Sequence, residues 1–374
     1  MKVLFISRGP SPYRVSFFNE LGKICDLTVL FELRPNEVND RDLSWFNEDY
    51  DNFKAVYLKK IVRIKNDNFS VEVLKYLKKG LYDVIIIGMY STPTQMLCIE
   101  YMKLMKIPYA LSSDGGFIKE EFFLNRLIKK HFIKGANLYF SSSKGTSRYL
   151  QNYGANENIC IYPFTTTKEL DLPNTILDSN AKQILKKDLG MNPNHKIILG
   201  VGQFVPRKGF DILIKASKQL DEKVDIYIIG GKPTSEYLKL RGSKKNIFFI
   251  DFKSKYELSR YYEAADLFVL PTREDIWGLV INEAMGYGLP VITTDKCLAG
   301  LELIENDING YIVEADNINE LSNRINMIIN NEKLCYKMSI NNFEKIKYYT
   351  IEQMAIVHYK ALLTLEGKNI ELSK

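Results

Sequence analysis

The sequence predicts an α/β fold of two doubly wound parallel-sheet domains, and three features of the chain point to it. Short β-branched and aromatic runs alternate with longer stretches of helical period from one end to the other, the pattern of parallel strands joined by crossover helices. The alternation is interrupted once, over Phe164–Asn180, by Pro, Thr, Asn and Asp with little periodicity. The length of 374 residues, 46% hydrophobic and 12% aromatic, supplies apolar material for two cores, each of the usual domain size of roughly 100–200 residues.

Taken in order, residues 1–165 read as a first domain with strands at Lys2–Ile6, Leu27–Phe31, Ala55–Leu58, Asp83–Gly88, Tyr109–Ser112, Leu138–Ser142 and Ile159–Tyr162. Helical spacing of apolar residues places helices at Arg14–Lys23, Phe69–Lys79, Thr94–Met105, Glu120–Lys134 and Gly145–Tyr153. Residues 166–180 read as a linker. Residues 181–345 repeat the pattern, with strands at Lys196–Val201, Asp225–Ile229, Ile247–Ile250, Leu267–Leu270 and Val291–Thr293 and helices near Phe210–Gln219, Lys255–Ala264 and Leu279–Tyr287. A last helical pattern, Asn341–Leu365, has no strand to feed, so residues 346–374 are expected to form a C-terminal helix that crosses back between the domains.

Composition excludes several classes. The longest apolar stretch, near Val84–Gly88, is far short of the roughly 20 residues of a membrane span, and no leader pattern follows Met1. A cytoplasmic protein is expected, with the inner face of the cell membrane as a peripheral station. Cys25, Cys98, Cys160, Cys297 and Cys335 are scattered and contain no Cys-x-x-Cys pair, which argues against a disulfide framework or a zinc knuckle. The formal charge of +6 is uneven: residues 1–165 hold 23 basic and 17 acidic side chains, whereas residues 166–374 hold 28 of each. Tyr101–Leu150 alone carries 9 basic and 3 acidic residues, which marks an interaction face.

In open parallel sheets, ligands sit beyond the carboxyl ends of the strands. One such loop, Gly200-Val-Gly-Gln-Phe-Val-Pro-Arg-Lys-Gly-Phe210, joins a strand end to a helix start and carries Arg207 and Lys208. A helix N-terminus with two adjacent cations suits phosphate; a solvated turn is the alternative. A second loop follows Leu270 and runs Pro-Thr-Arg-Glu-Asp-Ile-Trp-Gly-Leu-Val-Ile-Asn-Glu-Ala-Met through Met285. Asp275 precedes Gly278, and Glu283 lies one turn into the following helix. Ionised carboxylates suit vicinal sugar hydroxyls; taken singly, Asp275 reads equally as a helix cap and Glu283 as a surface charge.

The spacing of Asp275 and Glu283 resembles the Glu-x7-Glu element of the retaining family 4 glycosyltransferases of the GT-B fold. Gly278-Leu279-Val280, Glu283-Ala284-Met285, Gly288 and Pro290-Val291 match its text, as do Tyr262–Pro271 on the strand leading in and Arg207-Lys208-Gly209 in the diphosphate loop. The resemblance implies two Rossmann-like domains facing a central cleft, the first for the acceptor and the second for a nucleotide-sugar donor. It further implies that Arg207 and Lys208 hold the donor diphosphate with the amides of Leu279 and Val280. Glu283 would bind the ribose and Asp275 the transferred sugar, with Phe252 and Lys253 beside the base. The chain departs from the family pattern in having Gln203 where Arg is common, and Asp275 for the first Glu, with Glu274 beside it as a substitute.

A third loop, Leu111-Ser-Ser-Asp-Gly-Gly-Phe117, lacks the histidine that many family members carry, and Asp114 is the candidate for orienting the acceptor hydroxyl, or else simply forms an Asp-Gly turn. Gly9 and Ser11, after the first strand, either accommodate a substrate or, with their neighbouring prolines, set the entry into the first helix. No Gly-x-Gly-x-x-Gly follows the first strand and no phosphate-loop motif occurs, which removes dinucleotide oxidoreductases and phosphate-loop ATPases. Asp40-Arg-Asp42 and Asp49-Tyr-Asp51 spell Asp-x-Asp but follow no apolar strand; neither a metal nor any other cofactor is expected, the nucleotide-diphosphate sugar being substrate.

Glu120–Lys134 interleaves Phe122, Leu124, Leu127, Ile128 and Phe132 with Arg126, Lys129, Lys130 and Lys134. Such a helix either packs its apolar side on the sheet or docks on an anionic membrane; nucleic acid has no recognisable motif here. The expected activity is retaining, metal-independent transfer of a hexosyl or N-acetylhexosaminyl group, with a UDP-sugar favoured as donor. The expected acceptor is a glycan or polyprenyl-diphosphate-linked glycan of capsule or O-antigen synthesis. A GT-B nucleotide-sugar epimerase and a non-catalytic nucleotide-binding subunit are the alternatives.

Overall fold

The computed structural model describes residues 1–37 and 49–365, so Asp40-Arg41-Asp42 falls outside the described residues. The chain divides into a unit of Met1–Thr165 with Thr350–Lys374 and a unit of Thr166–Tyr349. The first unit opens with β1 (Lys2–Ser7), α1 (Pro12–Gly22), β2 (Asp26–Phe31), β3 (Lys54–Tyr57), β4 (Val62–Ile64) and β5 (Asp67–Phe69). It continues with β6 (Val84–Ile87), α2 (Pro93–Met105), β7 (Ala110–Ser113), α3 (Phe123–Ile133), β8 (Leu138–Ser141), α4 (Lys144–Asn152) and β9 (Ile159–Ile161). Seven parallel strands stand in the order β3-β2-β1-β6-β7-β8-β9. The central strands are buried on both faces, which is why Val3–Ile6 and Val84–Ile87 are continuous apolar runs with no polar alternation.

The second unit contains α5 (Ser179–Asp188), β10 (Lys196–Val201), α6 (Phe210–Ala216), β11 (Val224–Ile229), α7 (Ser235–Arg241), β12 (Ile247–Ile250) and α8 (Lys255–Ala264). Then come β13 (Leu267–Leu270), α9 (Leu279–Gly286), β14 (Val291–Thr294), α10 (Leu298–Leu303), β15 (Gly310–Val313), α11 (Ile318–Ile329) and α12 (Glu332–Ile346). Six parallel strands run in the order β12-β11-β10-β13-β14-β15. The order reverses between β10 and β13, where the chain winds first to one side of the sheet and then to the other, leaving the loops after these two strands face to face. The segment after Thr165 lies on this unit: Leu172 and Ile176 sit against Gly286 and Gly288, and Lys255 Nζ meets Asp171 Oδ2 at 2.5 Å.

Two expectations fail. The stretch Phe69–Lys79 is not a helix: its first residue ends the antiparallel β4–β5 hairpin, and only a single 3-10 turn follows at Glu72–Tyr76. Val73 and Leu77 are both fully buried, and their i,i+4 spacing imitated a longer helix. The last helical pattern is also two helices. After α12 the chain turns through Lys347–Thr350, and α13 (Ile351–Leu365) joins the first unit. Thr350 Oγ1 accepts from Gln353 N at 3.3 Å, a cap at the start of α13. His358 of α13 is buried there, stacked on Phe140 at 4.2 Å and 4.7 Å from Phe17 of α1. Burial pushes its imidazole down to about 3, and its Nδ1 lies 2.8 Å from Met354 O, so it is a neutral core residue.

Candidate active site

In the second unit the loops after β10 and β13 are locked together by backbone contact. Gly209 has φ +67°, and a Cβ there would lie 1.8 Å from Pro271 O, so only glycine allows this approach. The Arg207 carbonyl accepts from Arg273 N and from Thr272 Oγ1, both at 2.7 Å. Arg273 completes the brace: its guanidinium meets both Asp211 oxygens at 2.8 Å, Asp316 Oδ1 at 2.7 Å and Pro206 O at 2.5 Å. Burial, the largest single influence on the Asp211 carboxyl, acts upward, but the Arg273 guanidinium and the Lys215 ammonium together hold it below its usual range. Sequence reasoning missed Arg273, since its partners lie between 43 and 67 residues away.

This brace brings most of the expected donor residues together. Lys208 Nζ lies 2.6 Å from Asp275 Oδ2, with both side chains nearly buried, and Arg207 Nη1 lies 3.8 Å from the same oxygen with half its side chain exposed. Asp275 is placed by strand-like pairing with the loop after β14: its N donates to Lys296 O at 2.9 Å, and Leu298 N donates to its carbonyl. Gly278, at φ +97°, turns the chain into α9, and a Cβ there would meet Cys297 Sγ at 2.6 Å. Leu279 and Val280 open α9, and among the described residues their amides meet no acceptor, which leaves two N–H groups at a helix start for an anion. Trp277 Nε1 donates to Asn282 Oδ1 at 2.8 Å and pins the loop to the helix.

Glu283, on α9, accepts from Tyr262 OH at 2.8 Å, and Tyr262 stacks on Tyr287 at 5.5 Å. Burial raises the Glu283 carboxyl, opposed by the Tyr262 hydrogen bond and by the nearby charges of Lys255 and Lys208. Glu274 flanks Asp275, and its carbonyl accepts from Thr272 Oγ1 at 3.1 Å. Phe252 and Lys253 stand beyond β12; Phe252 is exposed, and Lys253 Nζ pairs with Glu257 at 3.0 Å beside the Ser254 cap of α8. They are two strands removed from the Lys208–Asp275 pair.

The residues expected in the first unit occupy its own strand ends. Gly9 and Ser11 follow β1: Gly9 O accepts from Ser7 Oγ at 3.4 Å, and Ser11 precedes α1 with Pro12 at the first helical position. Asp114, just past β7, is more than a bare turn residue, and its side chain is 28% exposed. Its Oδ2 meets Arg14 Nη2 at 2.5 Å and Tyr13 OH at 3.1 Å, its Oδ1 accepts from Tyr162 OH at 3.0 Å, and its carbonyl accepts from Ser142 Oγ. Its two carboxylate oxygens offer about four lone-pair sites, so beside these three donors Oδ1 keeps a place for one further hydroxyl. Glu32, which the sequence reading passed over, lies just past β2 and is almost fully buried. It takes Thr92 Oγ1 and Gln95 Nε2 on Oε1 while Oε2 has no partner among the described residues, and burial pushes its carboxyl up to about 7. Its only sequence signal is an acid directly after the apolar run Leu27–Phe31.

Two doubly wound parallel-sheet units in one chain are the architecture of the GT-B class. Residues 181–345 match the family described as glycosyl transferases group 1. The chain is 31% identical over 342 residues to an uncharacterized glycosyltransferase of Haemophilus influenzae, an alignment covering 79% of this chain and 95% of that protein. It is 26% identical over 355 residues to the Escherichia coli UDP-Gal:alpha-D-GlcNAc-diphosphoundecaprenol alpha-1,3-galactosyltransferase, covering 85% and 88% of the two chains. Its fold is similar to that of sucrose-phosphate synthase from Thermosynechococcus elongatus, with a TM-score of 0.75 at 17% identity over 99% of this chain and 100% of that one. The chain belongs to the group 1 glycosyltransferases.

Proposed function

We propose that the chain is a retaining glycosyltransferase that needs no metal and moves a hexosyl or N-acetylhexosaminyl group from a nucleotide-diphosphate sugar, UDP-sugars foremost. The acceptor is a glycan or polyprenyl-diphosphate-linked glycan in capsule or O-antigen synthesis. The observation that carries the donor half is the cluster of Lys208, Arg207, Asp275, the open amides of Leu279 and Val280, and Glu283 around one switch point. Transfer breaks the bond between the sugar's C1 and the phosphate oxygen and joins C1 to the acceptor oxygen, and the hydroxyl proton leaves with the diphosphate. Lys208, Arg207 and the helix-start amides stabilise the charge that develops on that leaving group, Glu283 takes the ribose, and Phe252 and Lys253 border the base. Asp114 is assigned to positioning the acceptor through the loop after β7, with Gly9 and Ser11 at the end of β1, two strands away in the sheet. The E. coli relative, named for a UDP-sugar and a diphosphoundecaprenol acceptor, supports both substrate classes.

Release of nucleoside diphosphate from UDP-, GDP- and ADP-sugars tests the donor half. We expect slow hydrolysis of a UDP-sugar without acceptor. Glu283→Ala should weaken donor binding by about 10–100-fold through loss of a charged hydrogen-bond acceptor. Nucleotide binding with no release from any donor would establish a non-catalytic subunit instead, and unchanged binding in Glu283→Ala would place the donor elsewhere.

The acceptor half draws support from α3. Only its C-terminal end packs as one expectation had it, with Ile133 fully buried and Phe132 against the first unit's core, whereas the rest of its apolar side is open: Phe122 just before the helix is 70% exposed, Phe123 67%, Leu124 55%, Leu127 45% and Ile128 49%. Among the described residues Arg126, Lys130 and Lys134 make no ion pair, while Lys129 is held by Glu121 at 2.6 Å. A hollow of about 570 Å³ lined by Lys103, Leu127, Lys130, His131, Lys134 and Gly135 lies beside them. No described helix is long and apolar enough to cross a membrane. Cations of this kind add about 1 kcal/mol each at an anionic bilayer, and each fully buried large apolar side chain about 1.5–3 kcal/mol. Sedimentation with anionic vesicles should therefore fall at least about tenfold in Phe122→Ser/Phe123→Ser/Leu127→Ser; equal sedimentation of variant and wild type would remove the membrane from the reading.

A further inference from the structure

The Lys208–Asp275 pair sets two demands of a donor site against each other. The ammonium that would hold the diphosphate is already 2.6 Å from a carboxylate, and the two side chains are only 11% and 14% exposed. The pair cannot move apart with its loops, because Gly209 rests on Pro271 O and Arg273 bolts Pro206 and Asp211 to the same strand end. A diphosphate placed on Lys208 therefore arrives next to an anion that partly neutralises the cation it needs. Repulsion between Asp275 and the phosphate oxygens falls on every diphosphate, and more heavily on a free nucleoside diphosphate, whose terminal phosphate carries about one more negative charge than the sugar-linked one. The ligands differ also in what Asp275 receives in return. A diphosphate that carries a sugar brings hydroxyl donors to the carboxylate; one that has lost its sugar brings none and leaves the nearly buried Asp275 facing like charge.

We infer that Asp275 is the residue by which this site distinguishes an intact nucleotide-diphosphate sugar from the spent nucleoside diphosphate, weakening the product so that it leaves. Arg207 does not duplicate the effect, since it lies 3.8 Å from Asp275 with 53% of its side chain exposed. This inference rests on the donor-site reading above, and the experiment separates the failure of each.

Calorimetric titration with UDP and with the UDP-sugar hydrolysed fastest, in wild type, Asp275→Asn, Asp275→Ala and Lys208→Ala, provides the test. Asparagine keeps the shape and removes the charge. Asp275→Asn should bind UDP about tenfold more tightly than wild type and bind the UDP-sugar no better, so that the preference shifts tenfold toward product. Asp275→Ala should shift it the same way, and Lys208→Ala should lose affinity for both ligands. Should Lys208→Ala weaken UDP while both Asp275 variants leave the ratio of the two affinities unchanged or weaken UDP equally, the inference is wrong and the donor site stands. Should wild type bind neither ligand, or Lys208→Ala change neither affinity, both the donor site and the inference fall.

Discussion

Lys208→Ala should lower the turnover number for sugar transfer by about 10²–10³-fold at saturating donor, whereas Arg207→Ala should cost about tenfold or less. The contrast follows from surroundings, not from charge, which is the same for both. Lys208 is 11% exposed and held by backbone contacts that align it before the donor arrives, whereas Arg207 is 53% exposed and must be drawn in from water. A unit charge about 4 Å from a developing phosphate anion contributes about 4 kcal/mol at the dielectric of a partly dry site, and about 1 kcal/mol in bulk water. Initial rates of nucleoside diphosphate release at saturating donor, with melting curves to confirm folding, check the prediction. Equal losses in the two variants would mean that the diphosphate lies in the open, away from the Lys208–Asp275 pair.

The second unit was the more legible half of the sequence, for reasons that lie in particular residues. Gly209 and Gly278 sit where a side chain would collide with Pro271 O and Cys297 Sγ, so the loops that need them carry a fixed text. The buried strands β10 and β13 are unbroken apolar runs ending at those loops, and α8 announces itself through a reciprocal cap between Ser254 and Glu257. Arg273 was not legible, because what makes it a brace is Asp211 and Asp316, 62 and 43 residues away and brought near only by the finished sheet. The same holds for the first unit. Arg8 meets Asp67 on the β5 side of the small hairpin at 2.5 Å, and nothing local marks either residue as paired. By contrast, the break before α13 did carry a local signal in Thr350-x-x-Gln353, which the continuous helical spacing across Asn341–Leu365 obscured. The apolar face of α3 shows the limit of periodicity: spacing gives a helix and its two faces, and burial alone tells which face the protein covers.

The second large effect belongs to Arg14, whose role the sequence could not suggest. Its side chain is 9% exposed, its Nη2 lies 2.5 Å from Asp114 Oδ2, its Nε donates to Tyr13 OH at 3.3 Å, and its guanidinium lies 5.8 Å from the Phe5 ring centroid. The Asp114 carboxylate beside it holds the guanidinium charged against the burial that would strip its proton, and burial in turn raises Tyr13 and Tyr162, which remain protonated donors. Removing one member of such a group strands the others. Arg14→Ala should destabilise the first unit by about 3 kcal/mol, and Asp114→Ala, which is 28% exposed, by somewhat less. The double variant should lose clearly less than the sum, with a coupling of about 2 kcal/mol in denaturant unfolding, because no charge is then left unpaired. Donor hydrolysis should be little affected in Asp114→Asn, since Arg207, Lys208, Asp275 and Glu283 of the proposed donor site all lie in the second unit, while acceptor KM should rise as the loop after β7 loosens. If instead Asp114→Asn abolished transfer at every acceptor concentration without lowering stability, the carboxylate would be acting on the acceptor hydroxyl itself, and Arg14 would serve to keep it ionised for that purpose.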